Sequence, residues 1–223
     1  MGSVAPTLSE SAAAVLGKEL WHRHQETVSG FWHSIAGFFN SLEVSGFKVY
    51  QDGLVAGGED GLRIVSEGVR NGSANYSIIS GLLAKGAVLI KTEDILLVKR
   101  EHTYIIKLAN AKSILEREVA ALRYKLAQRR LLEERDDFIA RAIGGTLKEG
   151  ETGLLFIGAY HDALRKLPAD IRVVQVKEVT KVREYHTLLA GIGTRKQVQH
   201  LEQLAEYLVS PVSIAITHVH NGT

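Results

Sequence analysis

The sequence predicts an α/β fold: a mostly parallel sheet flanked by helices, with a long helical hairpin inserted and a C-terminal helix–strand extension. Three observations carry this prediction. Short apolar runs bounded by glycine or turn residues occur at 48–51, 87–90 and 153–157, the pattern of buried strands. Segments with helical spacing of apolar residues separate them, as crossover connections between parallel strands require. Each run ends in polar residues, and in open α/β sheets ligands bind at the C-terminal ends of the strands.

Residues 7–42 read as helical. Thr7 or Ser9 serves as a cap with Glu10 in the first turn, and Phe31, Ile35, Phe38 and Leu42 share one face at spacings of 4, 3 and 4. With Trp21, Trp32 and Phe39, this face suits core packing, or a partner or membrane surface. His22 and His24 are two apart and point to different faces, which makes joint metal binding with His33 unfavourable.

The first strand ends at Asp52 and Gly53. The turn Gly57, Gly58, Glu59 then leads into a helix with Leu62, Ile64, Val65 and Val69 on its apolar face. Strand, glycine turn and helix make a ligand-binding corner, although no dinucleotide fingerprint or phosphate loop is present. The acids at 59 and 60 suit a cation or a hydrogen-bonding ligand, or simply the helix dipole. Asn71-Gly72 stops this helix, and Ser73 caps the next, which Gly86 ends. After the strand at 87–90, Thr92-Glu93-Asp94 is either a helix cap with a charged first turn or a ligand-facing acid pair.

The stretch from about 101 to 143 contains no proline or glycine. Leu115, Val119, Leu122 and Leu126 follow a 4-3-4 spacing, as in a helix hairpin or a short coiled coil. A break is expected near Asn110 or Gln128. The run Gly153 to Ile157 is expected at the centre of the sheet, with Gly158 and the tip Tyr160, His161, Asp162 beyond it. A further strand is expected at 171–176, parallel to the last. A helix follows at 178–189, and Gly191 and Gly193 mark a linker. Thr194 caps a final amphipathic helix, and a short strand at 212–219 carries His218 and His220. The domain division is then 1–190, a single α/β domain with its hairpin at about 101–143, and 191–223, the linker, helix and strand.

Composition bounds the function. The 223 residues are 45% hydrophobic and 23% charged, with a net charge of +2, which permits a sizeable core and supports neither a nucleic-acid nor a membrane-surface role. No cysteine is present, so there is no disulfide, zinc–thiolate site or cysteine nucleophile, and a reducing, cytoplasmic location is the expectation. No apolar run reaches transmembrane length, and no signal peptide is expected. Neither a G-x-S-x-G elbow nor an H-E-x-x-H motif occurs.

If the strands are parallel, Asp52, the 92–94 group and the 160–162 tip converge on one sheet edge. Acids with a histidine there can coordinate a metal or perform acid/base chemistry. Arg135, from the preceding helix, can neutralise an acid or anchor a substrate carboxylate.

The segment 131–176 resembles the TraB/Tiki-like group, related to erythromycin-esterase-like proteins. The resemblance rests on Leu-Leu-Glu-Glu-Arg-Asp-Asp-Phe-Ile-Ala, a glycine turn and Leu-Phe-Ile-Gly-Ala-Tyr-His. In that group a helix with Arg in an E-R-(D/N) setting precedes a strand ending in G-x-x-H. The resemblance touches Arg135, Gly158 and His161, and some members are described as metal-dependent hydrolases. The group's first strand ends in a Gly-x-x-His type motif, whereas here Gln51-Asp52-Gly53 stands.

Two readings follow. One is a ligand-binding, sensing or self-assembling domain, homo-oligomeric through its helices, with a small-molecule ligand and no defined cofactor. Gly57, Gly58, Glu59, Asp94, Tyr160 and Asp162 would line its site. The other is a metal-dependent or acid/base hydrolase with His161 as acid/base or ligand, Glu93 and Asp52 as carboxylate partners and Arg135 as anchor. The distance from His161 to Glu93 and Asp52, and the openness of the space between them, distinguishes the two.

Overall fold

The computed structural model describes residues 17–191 and 194–213. The caps expected at Thr7 and Ser9, Gly193 and the C-terminal histidines His218 and His220 lie outside the described residues. The elements in order are α1 (Lys18–Asn40), β1 (Lys48–Gln51), α2 (Gly58–Arg70), α3 (Ala74–Ala84), β2 (Val88–Ile90), α4 (Ile95–Ala109), α5 (Ile114–Thr146), β3 (Gly153–Phe156), a 3-10 turn (Ala163–Lys166), α6 (Val179–Ala190) and α7 (Arg195–Val209). The class is α/β, with a three-stranded parallel sheet of order β2-β1-β3.

The chain falls into two compact units. One draws on the chain up to Glu43, on Gly68–Ile78 and on the chain from Val174 onward. The other holds Val44–Glu67 and Ile79–Val173. This division differs from a boundary near 191. The reason is that Leu201, Leu204 and Leu208 of α7 bury against Leu20 and Phe31 of α1 and Val182 of α6. Gly30 permits this approach, since a Cβ there would stand 2.6 Å from Val209 Cγ1. Thr194 caps α7 in a full capping box with Gln197.

The second unit contains the sheet. Register places Val49 beside Leu89 and Leu154, and Gln51 beside Phe156. β1 therefore sits between two parallel neighbours and is buried along most of its length. β3, expected at the centre, is an edge strand of the described sheet. Its side chains divide between two faces: Leu154 and Phe156 are buried on one, while Leu155, with Ile157 just beyond the strand, packs on the other against Tyr50, Ala163, and Ile139 and Ile143 of α5. Residues 171–176, expected as a strand, pair with none. Val173 and Val174 remain 43% and 47% exposed, and apolar composition without a partner edge makes no strand. On α2 only Val65 of the expected apolar face is buried, while Leu62 and Val69 stay exposed.

Gly86 adopts φ +90° after α3, the left-handed conformation that lets the chain turn directly into β2. Residues 110–113 interrupt the long helical stretch, so α4 and α5 are separate helices packed against each other, with no interruption at Gln128. Ala120, Tyr124 and Ala127 of α5 share a half-buried face, and Tyr124 on it meets Tyr104 of α4. Leu115, Val119, Leu122 and Leu126 stand on another face and are exposed. The 4-3-4 stripe therefore does not close the contact between α4 and α5.

Candidate functional site

Parallel pairing brings the C-terminal ends of all three strands to one edge. Beyond β1, the Asp52 N–H continues the ladder by donating to Phe156 O at 2.9 Å. Beyond β2, the Thr92 hydroxyl accepts from Gln51 N and donates to Ile90 O. Thr92 N and Glu93 N both donate to Leu54 O, at 2.9 and 3.0 Å. These bonds fix Glu93 in the interior, where its side chain is wholly buried. Beyond β3, His161 N donates to Gly158 O at 3.1 Å, which turns the imidazole back toward the sheet edge.

Arg135 is the hub. Its Nε donates to Glu93 Oε2 at 2.6 Å, its Nη1 to Glu101 Oε2 at 2.6 Å, and its Nη2 to Asp52 Oδ1. The planar fork of a guanidinium meets three acids at once, which an ammonium cannot do. Asp52 also faces His161, with Oδ2 3.2 Å from Nε2. On the other side of the ring, Asp136 Oδ1 lies 2.5 Å from Nδ1, and Asp136 Oδ2 accepts from Asp162 N at 2.8 Å. The His161 side chain is 6% exposed. The accessible rim is formed by Asp52 and Glu101, at 20% and 25%.

Four carboxylates thus share two cationic groups, and the titration behaviour follows. Burial drives the Glu93 carboxyl up to about 7, against the charge and hydrogen bond of Arg135 and with help from the Asp52 charge. Its second oxygen, Oε1, is buried with no hydrogen-bond partner. Burial alone would raise Asp52. The His161 hydrogen bond and charge, followed by the Arg135 charge and a backbone bond from Gly158, outweigh it and hold Asp52 below the usual range. For His161 burial favours the neutral ring, but the hydrogen bonds and charges of Asp52 and then Asp136 raise it. A carboxylate oxygen at each ring nitrogen suits the doubly protonated form.

The structure brings together four of the expected residues, Asp52, Glu93, Arg135 and His161. The others stand outside it, Asp162 entering only through its backbone N–H to Asp136. Asp94 caps α4, its side chain accepting from Leu96 N at 2.7 Å, so of the two roles open to it the cap is the one formed. Glu59 is exposed in the first turn of α2, where an acid meets the helix dipole. Gly57 packs beside the Lys91 backbone and Gly58 adopts φ +57°, so both serve the turn. Tyr160 is exposed, and the Asp162 carboxylate turns to Arg165.

Glu101 and Asp136 were not singled out in the sequence. A signal for each exists. Glu101 falls on the inward stripe Leu97, Glu101, Tyr104, Leu108, and Arg135 falls on Leu131, Arg135, Ile139, Ile143. A charge on an apolar stripe is a charge bound for burial with a partner. Asp136 shares the buried face with Ala140.

Among the described residues, no three side chains of histidine, aspartate or glutamate are arranged to hold a metal ion. Arg135 stands where a cation would, so the donor set does not fit a metal. A separate concavity of about 380 Å³ is lined by Asp137, Arg141, Gly144 and Lys166 and does not include the cluster. No described helix is long and apolar enough to cross a membrane. No family model, curated protein or solved structure matches the chain.

Proposed function

We propose that this chain is a ligand-binding α/β domain whose site is the polar cluster at the C-terminal ends of β1, β2 and β3. The ligand is a small molecule presenting a cationic or hydrogen-bond-donating group to the Asp52–Glu101 rim. The observation that carries this reading is the surplus of carboxylates over cations around Arg135. Added positive charge at the rim reduces that surplus, whereas an anion increases it. The closed packing of His161 favours binding over catalysis. The same reading includes self-association through the helical stretch at about 101–143.

A second reading, an acid/base hydrolase, draws on one observation: His161 is held between Asp136 and Asp52, as an oriented general acid or base would be. Arg135, Gly158 and His161, the residues of the resemblance to the TraB/Tiki-like group, all border this arrangement. The donor set gives no support to the metal-dependent form.

The test is thermal unfolding with methylammonium or methylguanidinium, with acetate as the anionic control. A ligand at ten times its Kd stabilises the folded state by about 1.4 kcal/mol. The cations should stabilise the wild type and should not stabilise Asp52→Asn or Glu101→Gln. An equal response in both variants, or a response to acetate alone, overturns the binding reading. Turnover of an aryl ester that is lost in His161→Asn would put the hydrolase in its place.

A further inference from the structure

Helix α5 carries two apolar stripes, and among the described residues only one has a partner within the chain. Ala120, Tyr124 and Ala127 share one half-buried face, from which Tyr124 OH donates to Glu101 of α4 and its ring meets Tyr104 at 6.3 Å. The other stripe is Leu115, Val119, Leu122 and Leu126, exposed by 71%, 41%, 59% and 73%. Its spacing is that of alternating core positions of a coiled coil. Arg129 stands at the next core position and ends the apolar run after two heptads.

The charges beside this stripe are not mixed. Glu116 and Glu118 flank its N-terminal half, and Arg123 and Lys125 flank its C-terminal half. With Arg117 turned away from the stripe by its helical position, the flanking positions run from acidic to basic, a pattern complementary to itself when the second copy runs antiparallel. The layers then pair Leu115 with Leu126 of the second copy, and Val119 with its Leu122. The same two-fold alignment puts Glu118 opposite Lys125 of the second copy, and Glu116 opposite its Arg123. Glu116 Oε2 accepts from Lys112 N at the helix start, which leaves its other oxygen for this pairing. A parallel pair would keep Glu118 against Arg123 but place Lys125 against Arg130, a like-charge contact. The flanking charges and the apolar spacing therefore agree on one register, which Arg129 bounds opposite Lys112 of the second copy, a residue that precedes the helix.

We infer that the exposed stripe of α5 is a homodimer interface in which two copies pack antiparallel about a two-fold axis between Val119 and Leu122. This rests on the self-association reading above and adds its surface and orientation. Four apolar residues per copy make a small interface, so the dimer is concentration-dependent in the micromolar range.

Sedimentation equilibrium of the full chain tests this. The wild type should dimerise, and Leu122→Glu, at an exposed position that leaves the circular dichroism unchanged, should raise Kd by at least about tenfold. Glu118→Lys and Lys125→Glu should each weaken the dimer, and mixing the two single variants should restore association, because unlike charges then face each other at both ends. A wild type that stays monomeric overturns both the self-association reading and this interface. A dimer indifferent to Leu122→Glu overturns the interface and leaves self-association standing on another surface. A tighter dimer from Lys125→Glu overturns the antiparallel orientation.

Discussion

Glu93→Gln isolates the most displaced titration in the cluster. Glu93 ionises near its ordinary 4.5 in the unfolded chain and at about 7 in the folded one. Between those values unfolding releases a proton, so stability falls as pH rises. The contribution is fully present below 4.5 and is gone above about 7. The separation of about 2.5 pH units corresponds to about 3 kcal/mol. Glutamine keeps the shape and the acceptor for Arg135 Nε but does not titrate. The stability of the variant relative to wild type should therefore rise by about 3 kcal/mol between pH 4.5 and pH 8. His161 contributes to both proteins in the same direction, its stabilisation being lost as pH rises through its elevated value. Asp52 acts in the opposite sense and only at acid pH, since its contribution is present above 3.8 and lost as pH falls through its lowered value. Urea unfolding followed by far-ultraviolet circular dichroism is the assay. Both tryptophans, Trp21 and Trp32, lie in the other unit, so their fluorescence does not report on this one. Parallel stability–pH curves for the two proteins would refute the reasoning.

Two further outcomes follow from the same geometry. Arg135→Met removes the cation that serves Glu93, Glu101 and Asp52, and urea unfolding should show a loss of about 3–5 kcal/mol. Arg135→Lys should recover little of it, because a point charge cannot span three acids; full recovery would argue against the fork. Asp94→Ala removes the side-chain cap of α4 and should cost about 1 kcal/mol in the same assay. It should leave the cation response of the site unchanged, and loss of that response would return Asp94 to the site.

The convergence of Asp52, Glu93 and His161 was legible because a strand's polar tip is a local pattern and parallel pairing places all such tips on one edge. Glu101 was not read, although its place on the stripe of Leu97 and Leu108 marks it as buried. Charged residues on a helix are usually solvated, and it takes the facing acid or arginine to make burial tolerable. The stripe Leu115, Val119, Leu122, Leu126 was read as that of a helix hairpin or a short coiled coil; it does not close the contact between α4 and α5, because spacing describes one helix and contact needs two.

Local chemistry was written along the chain: the caps at Asp94 and Thr194, the turn at Gly86, the apolar strands and the interruption near Asn110. Each depends on residues within a few positions of one another, where backbone sterics and hydrogen bonding act directly. Folding decided that β1 rather than β3 takes the middle of the sheet, that residues 171–176 pair with no strand, and that Arg135 serves three acids. Asp52 and Arg135 are 83 positions apart. A buried charge acquires its partner and its proton affinity from groups that only chain packing brings within 3 Å or so, where the low dielectric makes each of them count.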